Sequence, residues 1–86
     1  MPEIKVYTTP MCPYCSRALK LLNNKGAEYE EIRAGLNTDL KKEMMERSGG
    51  RRTFPQIFIG ETHVGGCDDL FALEERGELD KLLGAN

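Results

Sequence analysis

The segment IKVYTTPMCPYCSRALKLLNNKG, residues 4–26, decides the fold, because a strand pattern in it leads through two cysteines into a helix pattern. Its first five residues are β-prone, and Pro10 ends the strand because it has no backbone N–H for the sheet ladder. Apolar residues then recur at helical spacing until Gly26, a typical helix stop. We therefore predict a strand over residues 3–8 and a helix over residues 13–25, with the cysteines at the helix N-terminus.

The rest of the sequence predicts a second strand–helix pair, then a hairpin, then two more helices. The first two strands are joined by a crossover helix, so they should be parallel with a right-handed connection. The layout is α/β on a small mixed sheet. In chain order the remaining elements are a strand over 27–33, a helix capped by 37–39 and ending at 48–50, a hairpin built on 54–64, a helix starting at 67–69 and ending at Gly77, and a short helix around 79–83.

Length, composition and charge limit the functions open to this chain. Its 86 residues, 40% of them hydrophobic, suffice for one core, so we expect a single domain over residues 1–86. A formal net charge of -2 offers no basic surface to nucleic acid or anionic lipid. No apolar run approaches the ~20 residues that cross a bilayer, and the N-terminus lacks a secretory signal pattern. We expect a cytoplasmic monomer with no nucleic acid and no membrane partner.

Cys12 and Cys15 carry the sharpest chemical signal, because C-x-x-C spacing at a helix start brings two thiols together. Cys12 would face free backbone N–H groups and the positive end of the helix dipole, which favour thiolate over thiol. Thiolate is the species that attacks disulfides. Cys15 lies one turn further along the same face, where it can attack a mixed disulfide formed at Cys12. The pair therefore predicts thiol–disulfide exchange.

Two other uses of the cysteines stay open at this stage. Cys67 and His63 could complete a zinc site with the C-x-x-C pair, although structural zinc usually belongs to chains that cannot fold without metal. A histidine beside Val64 on a predicted strand is more simply a residue at the edge of the core. A cysteine protease is less favoured, since His63 is the only histidine. We expect no bound metal and no organic cofactor.

Three ordered motifs make the chain resemble a dithiol glutaredoxin, similar to the bacterial glutaredoxin-3 group. They are C-P-Y-C at residues 12–15, T-F-P at residues 53–55 and G-G-C-D-D at residues 65–69. The resemblance runs from Ile4 to about Leu83, and the three motifs together are very specific. It implies a thioredoxin fold, with a four-stranded mixed sheet and flanking helices in the order β-α-β-α-β-β-α plus a short C-terminal helix.

The resemblance also implies a glutathione site beside the dithiol. A cis peptide bond before Pro55 would turn the backbone of Phe54 toward the dithiol, so that it pairs with the cysteine of glutathione. Backbone N–H groups at the next helix start would hold the γ-glutamyl carboxylate, while Asp68 would hold the ammonium group, cap the helix, or do both. The implied catalytic residues are Cys12 and Cys15, and the implied glutathione-binding residues are Tyr14, Thr53, Phe54, Pro55, Gly66, Cys67 and Asp68.

The chain departs from the family pattern at two positions. The lysine that commonly stands three residues before the nucleophile, where it holds the glycine carboxylate of glutathione, is Thr9 here. Arg51, Arg52 and Gln56 could replace it from the opposite wall, or the arginines could be solvated loop charges. Phe54 stands where valine is usual, which should alter the packing beside the cleft without removing backbone contacts.

The expected enzyme is a glutathione-disulfide oxidoreductase that reduces protein disulfides and glutathione mixed disulfides. Glutathione is the reducing co-substrate, and the expected partners are disulfide-containing or glutathionylated proteins, with ribonucleotide reductase as a family expectation. Cys67 should be a bystander or a site of side reactions. Two rival activities stay open. In one, two chains share an iron–sulfur cluster through Cys12 and glutathione; in the other, a flavoprotein reductase recharges a thioredoxin-type enzyme.

Overall fold

The computed structural model describes residues 2–84 and contains one four-stranded sheet, with helices packed against both faces. The order of elements matches the order predicted from the sequence. The strands are β1 (Ile4–Thr8), β2 (Glu30–Arg33), β3 (Gln56–Ile59) and β4 (Thr62–Gly65), and the helices are α1 (Pro13–Asn24), α2 (Thr38–Arg47), α3 (Cys67–Glu75) and α4 (Leu79–Leu82).

The sheet brings separate parts of the chain together at one end of its strands. Its strand order is β2-β1-β3-β4, with β1 parallel to β2 and antiparallel to β3, and with β3 antiparallel to β4. Thr8 pairs with Arg33 of β2, while Tyr7 pairs with Gln56 of β3. The carboxyl end of β1 therefore lies beside the start of β3, and this places the cysteine turn next to residues 53–55.

Apolar layers pack against both faces of β1. Each face has its own layer because successive side chains of a strand point to opposite faces of the sheet. Val6 of β1 packs in a layer with Leu22 of α1 and Leu70 of α3. Tyr7 points to the other face, where it packs with Met44 of α2. All five side chains are fully buried. This packing fixes β1, and with it the start of the turn that carries the cysteines.

Two strands are shorter than the sequence predicts. β2 begins at Glu30 rather than at residue 27, because its pairing with β1 starts only at Lys5 opposite Glu30. β3 begins at Gln56 rather than at residue 54, since Pro55 has no N–H to donate to a ladder. A 3₁₀ turn over Ala34–Leu36, which the sequence pattern does not predict, joins β2 to α2.

The helix boundaries follow the expected end signals. α1 ends before Gly26, which has a φ of +70°, and α3 ends before Gly77, which has a φ of +71°. The side chain of Asn37 caps α2 by accepting a hydrogen bond of 3.0 Å from the N–H of Leu40. None of the helices in residues 2–84 is long and apolar enough to cross a membrane.

Candidate active site

Cys12 lies in the turn between β1 and α1 and caps the helix with its own sulfur. Met11 before it is fully exposed and has a φ of +56°, a left-handed conformation that is rare outside glycine. The N–H of Cys15 donates to Cys12 Sγ over 3.2 Å, and Pro13 occupies the first turn. That turn contains no acidic residue that would repel a thiolate. The helix start thus presents its positive end and an N–H to the Cys12 sulfur.

Cys15 has a different environment, one turn inside α1. Its side chain is 4% exposed. Burial, followed in size by the hydrogen bond with Cys12, raises the pKa of the Cys15 thiol to about 12. The carboxylate of Glu31 also raises this pKa slightly. Both cysteines are free thiols, but Cys12 is only partly buried, whereas Cys15 is buried and protonated at neutral pH.

A groove of about 450 Å³ opens beside the dithiol, between the turn before β3 and the N-terminus of α3. The Phe54–Pro55 peptide bond is cis, as the resemblance implies. The carbonyl oxygen of Phe54 lies 4.0 Å from Cys12 Sγ. The groove brings together every residue expected to bind glutathione, namely Tyr14, Thr53, Phe54, Pro55, Gly66, Cys67 and Asp68.

Arg51 and Asp69 also line this groove. The carboxylate of Asp69 accepts a 2.9 Å hydrogen bond from the N–H of Gly66, and Arg51 Nη1 lies 3.6 Å from Asp69 Oδ2. Asp69 is therefore the capping residue of α3, which reaches back from the third helical position. The alternative role of Asp68 as a plain cap is wrong, because Gly66 holds the cap position and Asp69 makes the bond. The three-residue spacing from Gly66 to Asp69 was the signal that could have identified it.

Cys67 forms part of the groove but is buried, with 5% of its surface exposed. Burial raises the pKa of the Cys67 thiol, and the nearby Arg17 guanidinium opposes part of this increase. Arg17 also lies over the ring of Phe71, 5.6 Å from its centroid. The Cys67 thiol is therefore buried and stays protonated at neutral pH, whereas Cys12 is only partly buried.

The residues considered as substitutes for the family lysine are placed differently from one another. Thr9 lies in a second groove on the β2 side of the dithiol, where it packs against Gly35. Gln56 is fully buried and its amide is bonded to Thr53, so it cannot reach a ligand in the groove. Of the two arginines, Arg51 lines the groove and Arg52 does not.

His63 is a histidine at the edge of the core. Its Nε2 lies 2.7 Å from Gln56 Oε1, and its ring stacks on Phe58 with the centroids 4.7 Å apart. Within residues 2–84, no group of three His, Cys, Asp or Glu side chains is arranged to hold a metal ion. The interpretation of His63 as a core-edge residue is confirmed by these contacts.

The sequence and the fold match one family of known proteins. The Glutaredoxin family model matches residues 4–64. The chain belongs to the glutaredoxin family. It is 51% identical over 83 residues to Glutaredoxin 3 of Escherichia coli (strain K12), a match that covers 96% of this chain and 99% of that protein. The resemblance to the bacterial glutaredoxin-3 group is therefore confirmed.

Solved glutaredoxin structures show the same fold. The solution structure of the glutaredoxin from Brucella melitensis superposes with a TM-score of 0.84 at 61% identity, covering 96% of this chain and 89% of that one. The crystal structure of a buckwheat glutaredoxin–glutathione complex superposes with a TM-score of 0.85 at 32% identity, covering 96% of this chain and 77% of that one. The predicted thioredoxin fold is confirmed, and this glutaredoxin is a glutathione-related thiol–disulfide oxidoreductase.

Proposed function

We propose that this glutaredoxin reduces protein disulfides and glutathione mixed disulfides through Cys12 and Cys15, with glutathione as the reducing co-substrate. The observation that carries the proposal is the charge pattern of the groove beside Cys12. Glutathione has a carboxylate and an ammonium group at its γ-glutamyl end and a second carboxylate at its glycine end. The groove offers a helix N-terminus, the carboxylate of Asp68 and the guanidinium of Arg51. The groove thus offers positive groups for carboxylates, although Arg51 also pairs with Asp69, and it offers a carboxylate, that of Asp68, for the ammonium group.

The γ-glutamyl end binds at the start of α3. The N–H of Gly66 is already used by Asp69, so the free N–H groups of Cys67 and Asp68 receive the γ-glutamyl carboxylate. The Asp68 side chain is exposed and takes the ammonium group. Gly66 adds no side chain to this part of the groove wall, so the backbone stays open to a ligand.

The cysteine of glutathione binds against the turn before β3. The backbone of Phe54 pairs with it as one strand pairs with another. Since the Phe54 carbonyl oxygen is 4.0 Å from Cys12 Sγ, a tripeptide paired here has its sulfur next to the nucleophile. Thr53 and Pro55 form the wall on either side of Phe54, and the half-exposed ring of Tyr14 borders the groove from α1.

A glutathione mixed disulfide is reduced with Cys12 alone. The Cys12 thiolate attacks the sulfur of the bound glutathione, the disulfide bond breaks, and the protein substrate leaves as a thiolate that takes a proton from water. The product is a disulfide between Cys12 and glutathione. A second glutathione thiolate attacks this disulfide, which releases oxidised glutathione and restores the Cys12 thiolate.

A protein disulfide requires both cysteines. The Cys12 thiolate attacks one substrate sulfur and forms a mixed disulfide, and the other substrate sulfur leaves and is protonated. The negative charge on Cys12, which helped to raise the pKa of Cys15, is then gone. Cys15 loses its proton more easily and attacks Cys12 Sγ, which releases the substrate as a dithiol. Two molecules of glutathione reduce the resulting Cys12–Cys15 disulfide and leave as oxidised glutathione.

The proposed partners and location follow from this cycle. The substrates are disulfide-containing or glutathionylated proteins, with ribonucleotide reductase among the candidates. Oxidised glutathione must be reduced again after each turnover, which favours the cytoplasm, where the glutathione pool is kept reduced. The proposed groove is formed within one chain, which supports a single domain that acts as a monomer.

A coupled assay tests the proposal by changing the electron source. The protein is assayed with glutathione plus glutathione reductase and, in parallel, with thioredoxin reductase alone. We expect turnover with glutathione on both a glutathionylated peptide and a protein disulfide, and we expect none with thioredoxin reductase. Turnover with thioredoxin reductase alone would refute glutathione as the co-substrate. The Cys12→Ser variant supplies the background rate for each arm.

A further inference from the structure

A chain of hydrogen bonds behind the groove connects the β3–β4 hairpin to the wall that faces the dithiol. Gln56 of β3 is fully buried, and its Nε2 donates to the carbonyl oxygen and to the hydroxyl of Thr53, each at 3.0 Å. At its other end, Gln56 Oε1 lies 2.7 Å from His63 Nε2 of β4. The chain therefore runs from His63 through Gln56 to Thr53, which is the residue before Phe54.

The donor and acceptor roles of these groups set the direction of each hydrogen bond in the series. A carbonyl oxygen can only accept, so the amide nitrogen of Gln56 must face Thr53 and its amide oxygen must face His63. That amide oxygen also accepts only, so Nε2 of His63 must carry the ring proton. The ring of His63 is held in place by stacking on Phe58 at an interplanar angle of 22°. His63 thus donates to Gln56, and Gln56 donates to Thr53.

The segment before Thr53 is also anchored at Arg51, whose backbone makes two 3.1 Å hydrogen bonds with the hydroxyl of Ser48. Thr53 and the two residues before it are exposed and lie outside any helix or strand. Two bonds from a buried amide therefore hold Thr53 at the place where the next residue, Phe54, approaches Cys12. A buried amide that lost its partner at Oε1 could turn, and it would then offer an oxygen to the Thr53 carbonyl, which repels it.

We propose that His63 and Gln56 are positioning residues for glutathione, which hold the Thr53–Phe54 wall of the groove in the geometry that binds the tripeptide. This inference rests on the glutathione groove proposed above. Neither side chain contacts the ligand, because Gln56 is fully buried and His63 does not line the groove. Their effect is on the affinity for glutathione rather than on the chemistry at Cys12.

The charged surroundings of His63 agree with a single neutral tautomer. Burial lowers the pKa of His63, and the positive charge of Arg51 lowers it further, while Asp69 opposes the decrease. The imidazole is therefore neutral at physiological pH and carries one ring proton, which the bond to Gln56 assigns to Nε2.

Two substitutions of His63 separate its hydrogen bond from its stacking. His63→Phe keeps an aromatic ring against Phe58 but removes the donor, whereas His63→Gln loses the ring and keeps an N–H near the position of Nε2. The substrate is the mixed disulfide of glutathione and 2-mercaptoethanol, in which glutathione is the only part the groove can recognise. We expect His63→Phe to raise KM about three- to tenfold with kcat within about twofold of wild type, and His63→Gln to restore KM. The exposed hairpin residue Glu61 provides the control Glu61→Gln, which should change neither.

A second measurement tests the inference without any variant. The ¹⁵N shifts of the His63 ring in the wild-type protein should show the Nε2–H tautomer. An Nδ1–H tautomer, an unchanged KM in a folded His63→Phe protein, or a KM in His63→Gln as high as in His63→Phe would overturn it. The Asp68→Ala variant distinguishes an error in the positioning role of His63 from an error in the proposed glutathione site. If Asp68→Ala raises KM and His63→Phe does not, the groove stands and only the positioning role is refuted.

Discussion

Helices α1 and α3 both begin beside the groove, but their N-termini are completed in different ways. α1 is capped by the sulfur of Cys12, which accepts the N–H of Cys15, and its first turn holds no acidic residue. α3 begins at Cys67, directly after the cap residue Gly66, whose N–H donates to Asp69, and its first turn holds two acidic residues. One N-terminus is thus completed by a reactive atom and the other by an ordinary carboxylate.

The difference shows how each helix start uses its positive end. The first turn of α1 holds no carboxylate, and a carboxylate there would oppose the thiolate that the proposed reaction needs. At α3 the carboxylate of Asp69 completes the cap and strengthens the helix, while Asp68 remains exposed for a ligand. In the proposed mechanism the first site supplies the nucleophile and the second recognises glutathione, and each can be altered separately.

The most severe test of the α1 site is Cys12→Ser. It removes the nucleophile, but serine is a good helix cap, so the fold should be preserved. We expect complete loss of turnover on both glutathionylated peptide and protein disulfide, with a melting temperature close to that of wild type. Turnover above background in the folded variant would mean that another sulfur performs the first attack.

Cys15→Ser should divide the two reactions. The variant should lose reduction of protein disulfides, because nothing then resolves the mixed disulfide with the substrate. It should keep removal of glutathione from a glutathionylated peptide, because a second glutathione attacks the intermediate directly. Rates on the two substrates, measured with the same preparation, make the comparison. Equal loss on both substrates would contradict the assignment of Cys15 as the resolving cysteine.

Alkylation compares the three sulfurs directly. Burial raises the pKa of Cys15 from about 9 to about 12, which lowers its thiolate fraction at neutral pH about a thousandfold, and burial also raises the pKa of Cys67. Because a raised pKa keeps the thiol protonated until higher pH, iodoacetamide at pH 7 should modify Cys12 first. Cys15 should react appreciably only as the pH rises toward 12. Mass spectrometry of the reduced, native protein locates the label, and early labelling of Cys15 would contradict this order.

Asp68→Ala weakens the recognition site at α3. Loss of a charge-assisted hydrogen bond to the ammonium group should cost about 1.5–3 kcal/mol, which is roughly a 10- to 150-fold decrease in kcat/KM for a glutathione mixed disulfide. Thermal stability should change little, because Asp68 does not cap the helix. A loss of stability with unchanged kinetics would assign Asp68 a structural role instead.

Asp69→Ala should have the smallest effect on turnover and a measurable effect on folding. It removes the bond to the N–H of Gly66, and we expect the free energy of unfolding to decrease by about 0.5–2 kcal/mol. The exposed ion pair with Arg51 adds little. Urea denaturation measures the change. Asp69→Asn keeps an oxygen that can accept the bond and should retain most of the stability; equal losses in both variants would exclude the cap as the cause.

Local patterns predicted most of the fold, because each element has its own periodicity and its own end signals. The stop at Gly26 and the cap at Asn37 need only neighbouring residues, and both are confirmed. The length of β2 was predicted wrongly, because a strand at the edge of a sheet extends only as far as its partner allows, and the partner is distant in sequence. The 3₁₀ turn after β2 has no strong sequence signal.

The sequence alone determined the three motifs, of which the dithiol is one. C-x-x-C at a helix start predicts thiol chemistry from residues that are close together in sequence. The tertiary structure decided the rest. It made Asp69 rather than Asp68 the capping side chain of α3. It buried Gln56, a possible substitute for the family lysine, behind the groove, and it left Arg51 as the arginine that lines the groove. The physical reason is that burial and hydrogen-bond partners depend on which segments pack together. Adjacent residues of similar chemistry, such as Asp68 and Asp69, cannot be told apart until that packing is known.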